Sequence, residues 1–147
     1  MSRTFNFRLQ KVLKYREERE KEAQGKLTEA RNSLQNSLSE LSSLKNQLLD
    51  VYSQQRGETG VELNIDDCLC SSRYVEYINS CISKTEEEIR EKEEEVREER
   101  RQLETKMVER KVLSNLRERQ HLVHRKAGDT EEQKMNDEFA VTGFSRK

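Results

Sequence analysis

A strict seven-residue repeat is the feature that most constrains how this chain folds. Apolar residues recur at intervals of seven, four times in succession, at Val75, Ile82, Ile89, Val96 and Leu103. Such a repeat predicts a helix that supercoils left-handedly around a partner, rather than a lone straight helix. The alternate seam positions are mostly polar and are occupied by Ile78, Thr85, Lys92, Glu99 and Lys106. Half of the predicted seam is therefore polar in the middle of this helix.

A second apolar stripe lies nearer the N-terminus and advances by steps of three and four residues. It comprises Phe5, Leu9, Val12, Leu13, Ala23, Leu27, Ala30, Leu34, Leu38, Leu41, Leu44, Leu48 and Tyr52. These steps place the stripe on one side of a helix over about residues 4–55. Gly25 lies within the pattern and costs about 1 kcal/mol relative to Ala. We therefore expect the helix to be locally soft there.

Glycines mark the predicted ends of the helices. Gly57 and Gly60 follow the first stripe and predict a turn over about residues 56–70. Possible N-caps then precede a second helix of about residues 71–127, namely Asn64, Asp66, Asp67, Ser71 and Ser72. Gly128 predicts a break. Asp129 stands three residues before Glu132 and resembles a capping box, which predicts a short last helix over about residues 130–140.

Two readings of the composition compete. Charged residues make up 39% of the chain, hydrophobic residues only 31%, and proline is absent. Such a composition is typical of long helices, but high charge and low hydropathy also describe disordered chains. The net charge of −1 leaves little self-repulsion. Together with the periodicity of the apolar residues, it favours helices over disorder.

The two stripes have similar lengths, so the chain is predicted to fold back on itself at the glycines. The expected fold class is all-α, a long antiparallel two-helix coiled-coil hairpin with a short C-terminal helical extension, in a single domain over residues 1–147. Folding back pairs Tyr52 with Tyr74 and Leu48 with Ile78, and brings Leu34 near Lys92. A short linker gives intrachain pairing a high effective concentration, so we expect a monomeric hairpin. A parallel homodimer is the alternative, and it requires continuous helix through the glycines.

The sequence gives no sign of a membrane span or a secretory signal. No apolar run approaches the roughly 18 residues that a membrane span needs, and the N-terminus lacks an apolar stretch. An odd number of cysteines, three, is unusual for a secreted protein. Cys68 and Cys70 resemble half of a zinc site, but His121 and His124 are far along the chain. We therefore expect a cytoplasmic protein without a metal or another cofactor.

The residue pattern provides no recognisable catalytic chemistry. The five glycines lack the spacing of a phosphate-binding loop, and the two histidines have no nearby nucleophile and orienting acid. We expect no enzymatic activity. Nucleic-acid binding is also not expected, because the pI is about 6.2 and acidic residues interleave with the basic ones.

Charge is distributed unevenly along the predicted hairpin. Residues 1–21 carry seven basic and three acidic side chains, and residues 106–126 carry seven basic and two acidic ones. The predicted loop, residues 58–67, carries four acidic side chains and no basic one. A basic, apolar-rich end with both termini and an acidic tip predict two separate contact surfaces.

The two ends of the chain carry a family resemblance. Its opening, from Phe5-Asn-Phe7-Arg8-Leu9-Gln10 to Tyr15-Arg16-Glu17, resembles the start of the flagellar export protein FliJ. The segment Glu132–Ala140, in which Asp137 and Glu138 follow a basic helix, is similar to the terminal pattern of that family. The length and the glycine-marked turn match as well, so the resemblance covers nearly the whole chain.

The resemblance implies a stalk in the flagellar type III export apparatus, which serves flagellum assembly and motility. FliJ-like proteins resemble the central stalk of rotary ATPases. The implied partners are the hexameric flagellar export ATPase, the export gate protein and export chaperones, and the implied location is the cytoplasmic face of the inner membrane, reached through these partners. The stalk of a virulence type III secretion system and a generic coiled-coil scaffold remain alternatives.

Two sets of residues are candidates for these contacts. For the ATPase we hypothesise a terminal set, Phe5, Phe7, Arg8, Val12, Arg16, Arg117, Arg119 and Arg125. For the export gate we hypothesise a tyrosine set, Leu48, Tyr52, Tyr74, Tyr77 and Ile78. Simple packing in the seam is the alternative role for both sets. The tyrosines suggest an interface more strongly, because amphipathic rings suit exposed contact surfaces.

Overall fold

The computed structural model describes residues 4–57 and 65–145, which form two α-helices. Helix α1 spans Gln10–Gly57 and has 48 residues, and helix α2 spans Ile65–Ser145 and has 81. The helices pack against each other as a helical hairpin, and the described ranges contain no strand. The predicted all-α hairpin fold is confirmed.

The N-terminal boundary of each helix differs from its prediction. Residues 4–9 precede α1 as non-helical chain, and the backbone N–H of Gln10 donates to Phe7 O at 3.1 Å as the helix begins. The predicted start near residue 4 is wrong, because Phe5 and Phe7 pack against other parts of the fold. Helix α2 begins at Ile65 rather than near residue 71. Asp66 and Asp67 lie in its first turn, where carboxylates interact favourably with the helix dipole.

The predicted break at Gly128 is also wrong, and no separate last helix forms. Helix α2 continues through Gly128 to Ser145. A single glycine costs a helix only about 1 kcal/mol, and the residues that follow, such as Glu131 and Glu132, are good helix formers. The Thr130 hydroxyl donates to Lys126 O at 2.7 Å, a contact made within a continuous helix. The predicted turn falls largely on residues 58–64, which lie outside the described residues.

The burial pattern follows the heptads along both helices. On α1 the positions in steps of three and four are all buried or half-buried: Leu13, Arg16, Glu20, Ala23, Leu27, Ala30, Leu34, Ser37, Leu41, Leu44, Leu48 and Val51. On α2 the matching positions are Ser71, Val75, Ile78, Ile82, Thr85, Ile89, Lys92, Val96, Glu99, Leu103, Lys106, Arg110 and Leu113. This alternation of three and four residues is the pattern of a coiled-coil seam.

Contacts divide the chain into two compact units, each formed by parts of both helices. Unit 1 comprises Met1–Ala23 and Leu103–Lys147, and unit 2 comprises Gln24–Gln102. This division does not test the predicted single domain, because the same two helices form both units.

Unit 1 is held by an aromatic cluster and by polar contacts between its helices. Phe7, Leu13 and Leu113 form the buried cluster, and Phe5 packs against it. Arg16 donates from Nη1 to Glu109 O at 2.8 Å, and Arg110 Nε donates to a carboxylate oxygen of Glu20. Low residue numbers on α1 thus meet high numbers on α2, which defines an antiparallel pair.

Unit 2 has a thinner core with polar members. Its buried apolar residues are Leu27, Ala30, Ile78 and Ile89, and the polar Ser37 and Thr85 are buried with them. Lys92 donates from Nζ to Ser37 Oγ at 2.6 Å and lies 3.4 Å from Ser33 O. This contact places Lys92 beside the turn of α1 that contains Leu34, as the predicted antiparallel pairing requires.

No helix within the described residues is long and apolar enough to cross a membrane.

Candidate protein-binding surfaces

The terminal set lies entirely in unit 1, but its members differ in exposure. Phe7 is 8% exposed and belongs to the cluster with Leu13 and Leu113. The half-buried Phe5 contacts two histidines of α2: its ring centroid lies 4.9 Å from that of His121, edge-on at 87°, and 5.6 Å from that of His124. The fold therefore places both phenylalanines against α2, where they fix the path of residues 4–9.

The cationic members of the terminal set are mostly free to meet a partner. Arg8, Arg117, Arg119 and Arg125 are exposed, whereas Arg16 is half-buried and bonded to Glu109 O. Guanidinium groups suit protein interfaces because they form bidentate pairs with carboxylates and stack on aromatic rings. Val12 is also exposed, so the exposed side chains of the terminal set are four basic groups and one apolar group.

An exposed apolar stripe on α2 lies in the same unit and outside the predicted set. Its members are Val108, Val112, Leu116 and Val123, which are 60%, 59%, 36% and 67% exposed. Sequence reasoning predicted an apolar-rich end but did not include these four residues in the terminal set, although this stretch holds more apolar residues than one seam can cover. That excess was the available signal for an exposed stripe.

The C-terminal part of α2 is exposed throughout. Every residue whose side chain is described between Arg125 and Gly143 is exposed, including Met135, Phe139 and Val141. Residues 127–143 carry five acidic side chains and one basic one. This acidic segment follows directly on the basic stretch that carries Arg117 and Arg119.

The tyrosine set lies in unit 2 and divides into surface rings and core residues. Tyr52, Tyr74 and Tyr77 are 43%, 45% and 66% exposed, and Leu48 is half-buried. Ile78 is 1% exposed and is the most deeply buried large side chain of the described chain, so it supports the seam from inside. Tyrosine rings offer a large apolar area and a polar hydroxyl, a combination that is enriched at protein interfaces.

Cys81 adds a polar contact to this surface that sequence reasoning missed. Its hydrogen bond with Tyr77 raises the pKa of the Tyr77 phenol, with smaller contributions from the charge of the Cys81 thiolate, from burial and from Tyr74. Tyr77 therefore stays neutral to a higher pH than an ordinary tyrosine. The four-residue spacing from 77 to 81 on a helix was the signal for this contact.

Further apolar side chains lie exposed in the same unit. Leu49, Ile65 and Leu69 are 64%, 76% and 53% exposed. Tyr52 lies three residues after Leu49, about one helical turn along α1. The exposed apolar area of unit 2 thus includes more than the three tyrosines.

Metal-binding side chains do not cluster on either surface within the described residues. Within the described ranges, no group of three or more histidine, cysteine, aspartate or glutamate side chains is placed to hold a metal ion. The histidines that contact Phe5 serve as packing partners. Both surfaces instead combine exposed aromatic or aliphatic groups with charge, which is the chemistry of protein recognition.

Comparison with known proteins identifies one match. The model of the flagellar FliJ protein family matches residues 5–147, essentially the whole chain. No curated protein and no solved structure matches it. The family consists of non-enzymatic structural and coupling proteins associated with flagellar export. Given the two-helix hairpin, the basic terminal surface and a match over nearly every residue, the chain belongs to the flagellar FliJ protein family.

Proposed function

We propose that this chain is a coupling stalk of the flagellar type III export apparatus, which binds the hexameric export ATPase through unit 1 and the export gate through unit 2. The observation that carries the proposal is the family match over residues 5–147, on a chain with two chemically different exposed surfaces. The proposal includes binding of export chaperones, a location at the cytoplasmic face of the inner membrane through these partners, and a monomeric hairpin when the chain is free.

The ATPase-binding surface of this proposal assigns different roles within the terminal set. Arg8, Val12, Arg117, Arg119 and Arg125 are the groups that touch the ATPase. Phe5, Phe7 and Arg16 are kept in the set as positioning residues, because their side chains are engaged within unit 1. The exposed stripe from Val108 to Val123 supplies apolar area beside the arginines.

The gate-binding surface has its contact groups in Tyr52, Tyr74 and Tyr77. Leu48 and Ile78 support them from the seam, where Ile78 is almost fully buried. The exposed tyrosines are the side chains of unit 2 best suited to act as binding hot spots.

Direct binding measurements with charge reversals test the ATPase contact. The double variant Arg117→Glu and Arg119→Glu should bind the purified export ATPase at least roughly tenfold more weakly, because two attractive contacts become repulsive. The matched control reverses Arg73 and Arg90, two exposed arginines of unit 2, and should bind like the wild type. ATP hydrolysis and hexamer formation of the ATPase should respond to the wild type and the control alike. If the wild type forms no complex and changes neither, the stalk proposal is wrong.

A triple variant of unit 2 tests which of the two surfaces binds which partner. Changing Tyr52, Tyr74 and Tyr77 to Ala should weaken binding to the cytoplasmic domain of the gate protein and leave ATPase binding intact. The control is Tyr15→Ala, since Tyr15 is 54% exposed in unit 1 and outside both sets. Equal loss of both partners in the triple variant would contradict the assignment.

Two alternative functions make different predictions. A virulence-type stalk would bind the ATPase of a virulence secretion system in preference to the flagellar enzyme. A generic scaffold would bind neither ATPase and would show a dimer or polymer mass by light scattering.

A further inference from the structure

The seam of unit 2 is built from columns, each a row of side chains seven residues apart on one helix. One kind of column is apolar at every heptad, and the other changes its chemistry from heptad to heptad. On α2 the column Val75, Ile82, Ile89 and Val96 is apolar throughout, and on α1 Leu27, Leu34, Leu41 and Leu48 form a similar column. Sliding one helix along the other by seven residues again brings apolar residues opposite apolar residues. These columns alone therefore leave the register of the two helices poorly determined.

The alternate column of α2 makes registers that are seven residues apart different from one another. It holds Ile78, Thr85, Lys92 and Glu99, four side chains of different chemistry at successive heptads. All four are buried or half-buried. Each seven-residue slip therefore brings a different side chain to a given site on α1, so this column carries the register information within the seam of unit 2.

Lys92 makes a contact that exists in one register only. Its Nζ donates to Ser37 Oγ at 2.6 Å and lies 3.4 Å from Ser33 O, and Ser37 is only 3% exposed. One heptad before Ser37 stands Ala30, and one heptad after it stands Leu44. Neither side chain has a hydrogen-bond acceptor. A slip in either direction would thus leave the Lys92 ammonium in the seam without its hydroxyl partner.

Glu99 lies one heptad after Lys92 and, unlike Lys92, has a polar atom without a partner in the observed register. One carboxylate oxygen, Oε2, is buried and has no hydrogen-bond partner. A slip that moved Glu99 to the place of Lys92 would bring this carboxylate to the Ser37 hydroxyl, a possible donor. The unpartnered carboxylate therefore favours the slipped register, whereas Lys92 favours the observed one.

We propose that Lys92 and Ser37 form a register latch that holds α2 against α1 in one of two competing registers, the other being a one-heptad slip that places Glu99 at Ser37. Buried polar pairs are known to fix register in coiled coils at some cost in stability. Opening the latch shifts one helix along the other by about 10 Å. The same shift separates Arg16 from Glu109 O and Glu20 from Arg110, so these contacts of unit 1 support the latch in the observed register. This inference is independent of the proposed function.

Distance measurement in solution tests the latch. Spin labels are attached to Asn32→Cys on α1 and Ser80→Cys on α2, two exposed positions of unit 2, after Cys68, Cys70 and Cys81 are changed to Ser. Double electron–electron resonance then reports the register, because the labels are offset along the hairpin and a one-heptad slip lengthens their separation by about 10 Å. The parent chain should give one narrow distance.

Lys92→Leu should add a second population at the longer distance while helical content and melting temperature are kept or raised. Ser37→Ala, which changes little volume, should produce the same second population and covers the case in which Lys92→Leu fails to fold. Glu99→Leu is the matched control at the next heptad and should keep the single distance. Lys92→Arg should keep it too, because the guanidinium can still donate to Ser37.

Two results would overturn the latch. One is a single unchanged distance in both Lys92→Leu and Ser37→Ala, which would mean that other contacts fix the register. The other is an equal second population in Glu99→Leu, which would mean that any apolar replacement in this column loosens the seam.

Discussion

Units 1 and 2 are built from the same pair of helices, yet they bury different kinds of residue. Unit 1 buries Phe7, Leu13 and Leu113 together with the small Ala23, and Phe5 packs on the cluster of the three large side chains. Unit 2 buries Leu27, Ile78 and Ile89 together with the small Ala30 and the polar Ser37 and Thr85. The number of packed segments explains the difference. In unit 1 residues 4–9 add a third segment beside the two helices, whereas in the described part of unit 2 the two helices form the seam by themselves.

This difference shows how a chain with few apolar residues can stabilise two regions by different means. A two-helix seam covers only the side chains at its centre, so most of the seam positions of unit 2 remain half-buried. Its stability is spread over many small contributions. In unit 1 the packed aromatic residues concentrate the stabilisation in a few side chains. We therefore expect single substitutions in unit 1 to have larger effects than matched substitutions in unit 2.

Truncating a buried leucine in each unit is the strongest test of this comparison. Leu13→Ala should lower the free energy of unfolding by about 3 kcal/mol, because it leaves a cavity beside Phe7 and Leu113. Leu27→Ala should cost nearer 2 kcal/mol, because a thin seam collapses more readily around the missing atoms. The two leucines are similarly buried, 2% and 4% exposed. Urea denaturation followed by circular dichroism measures both values, with the exposed Leu49→Ala as a near-neutral control. Equal losses would contradict the comparison.

Local patterns predicted the seam of unit 2 better than the packing of unit 1. Heptad spacing is set by the helix itself, so the fold class followed from it, and the contact of Lys92 with Ser33 and Ser37 agrees with the predicted pairing near Leu34. The non-helical path of residues 4–9 could not be predicted from heptad spacing. Phe5 and Leu9 have helical spacing, but rings that find tertiary partners outweigh a weak local preference for helix.

The exposure of individual residues in the two candidate sets could not be predicted from the local sequence. Ile78 and Tyr77 are neighbours in sequence, yet one is buried and the other is 66% exposed, as expected for adjacent residues on a helix that is covered on one side. Phe7, a member of the terminal set, is 8% exposed. Exposure depends on which segments cover a helix, and that information is not local. Gly128 alone predicts a break, but the helix formers that follow it keep α2 continuous.

Removing an ion pair tests the comparison at the polar positions. Glu20 and Arg110 pair across unit 1 with side chains only 19% and 28% exposed. Glu20→Gln should cost roughly 1 kcal/mol, because it leaves the guanidinium partly buried without its counter-charge. Glu94→Gln in unit 2 removes the pair of Glu94 with Arg97, whose side chains are 65% and 64% exposed. It should lower the free energy of unfolding by less than about 0.5 kcal/mol. The loss at Glu20 should also depend less on salt. A loss no larger than that of Glu94→Gln would mean that solvent screens the Glu20 pair as effectively as the exposed one.

Replacing a helical glycine with alanine in each unit should change the free energy of unfolding least. It compares how strongly the helix backbone of each unit is coupled to the buried core. Gly25 in unit 2 and Gly128 in unit 1 are both helical, and an added Cβ at either meets no atom within 4 Å. Gly25→Ala should raise the free energy of unfolding by roughly 0.5–1 kcal/mol, because α1 is packed there between the buried Ala23 and Leu27 and must unfold with the core. Gly128→Ala should raise the helicity of its own segment but change global unfolding by only about 0.2 kcal/mol, because side chains around it are all exposed and that segment can open by itself.

Hydrogen exchange separates these two outcomes, because it reports local opening and global unfolding amide by amide. In the wild type, amides around residue 128 should exchange far faster than those around Leu27, and Gly128→Ala should slow exchange only near the substitution. Gly25→Ala should slow exchange throughout the most protected amides of unit 2. If Gly128→Ala instead slowed exchange at Leu113 and stabilised the chain as much as Gly25→Ala, the exposed end of α2 would be folding cooperatively with the aromatic cluster. The greater sensitivity expected of unit 1 would then arise from a cooperative unit that extends well beyond its buried side chains.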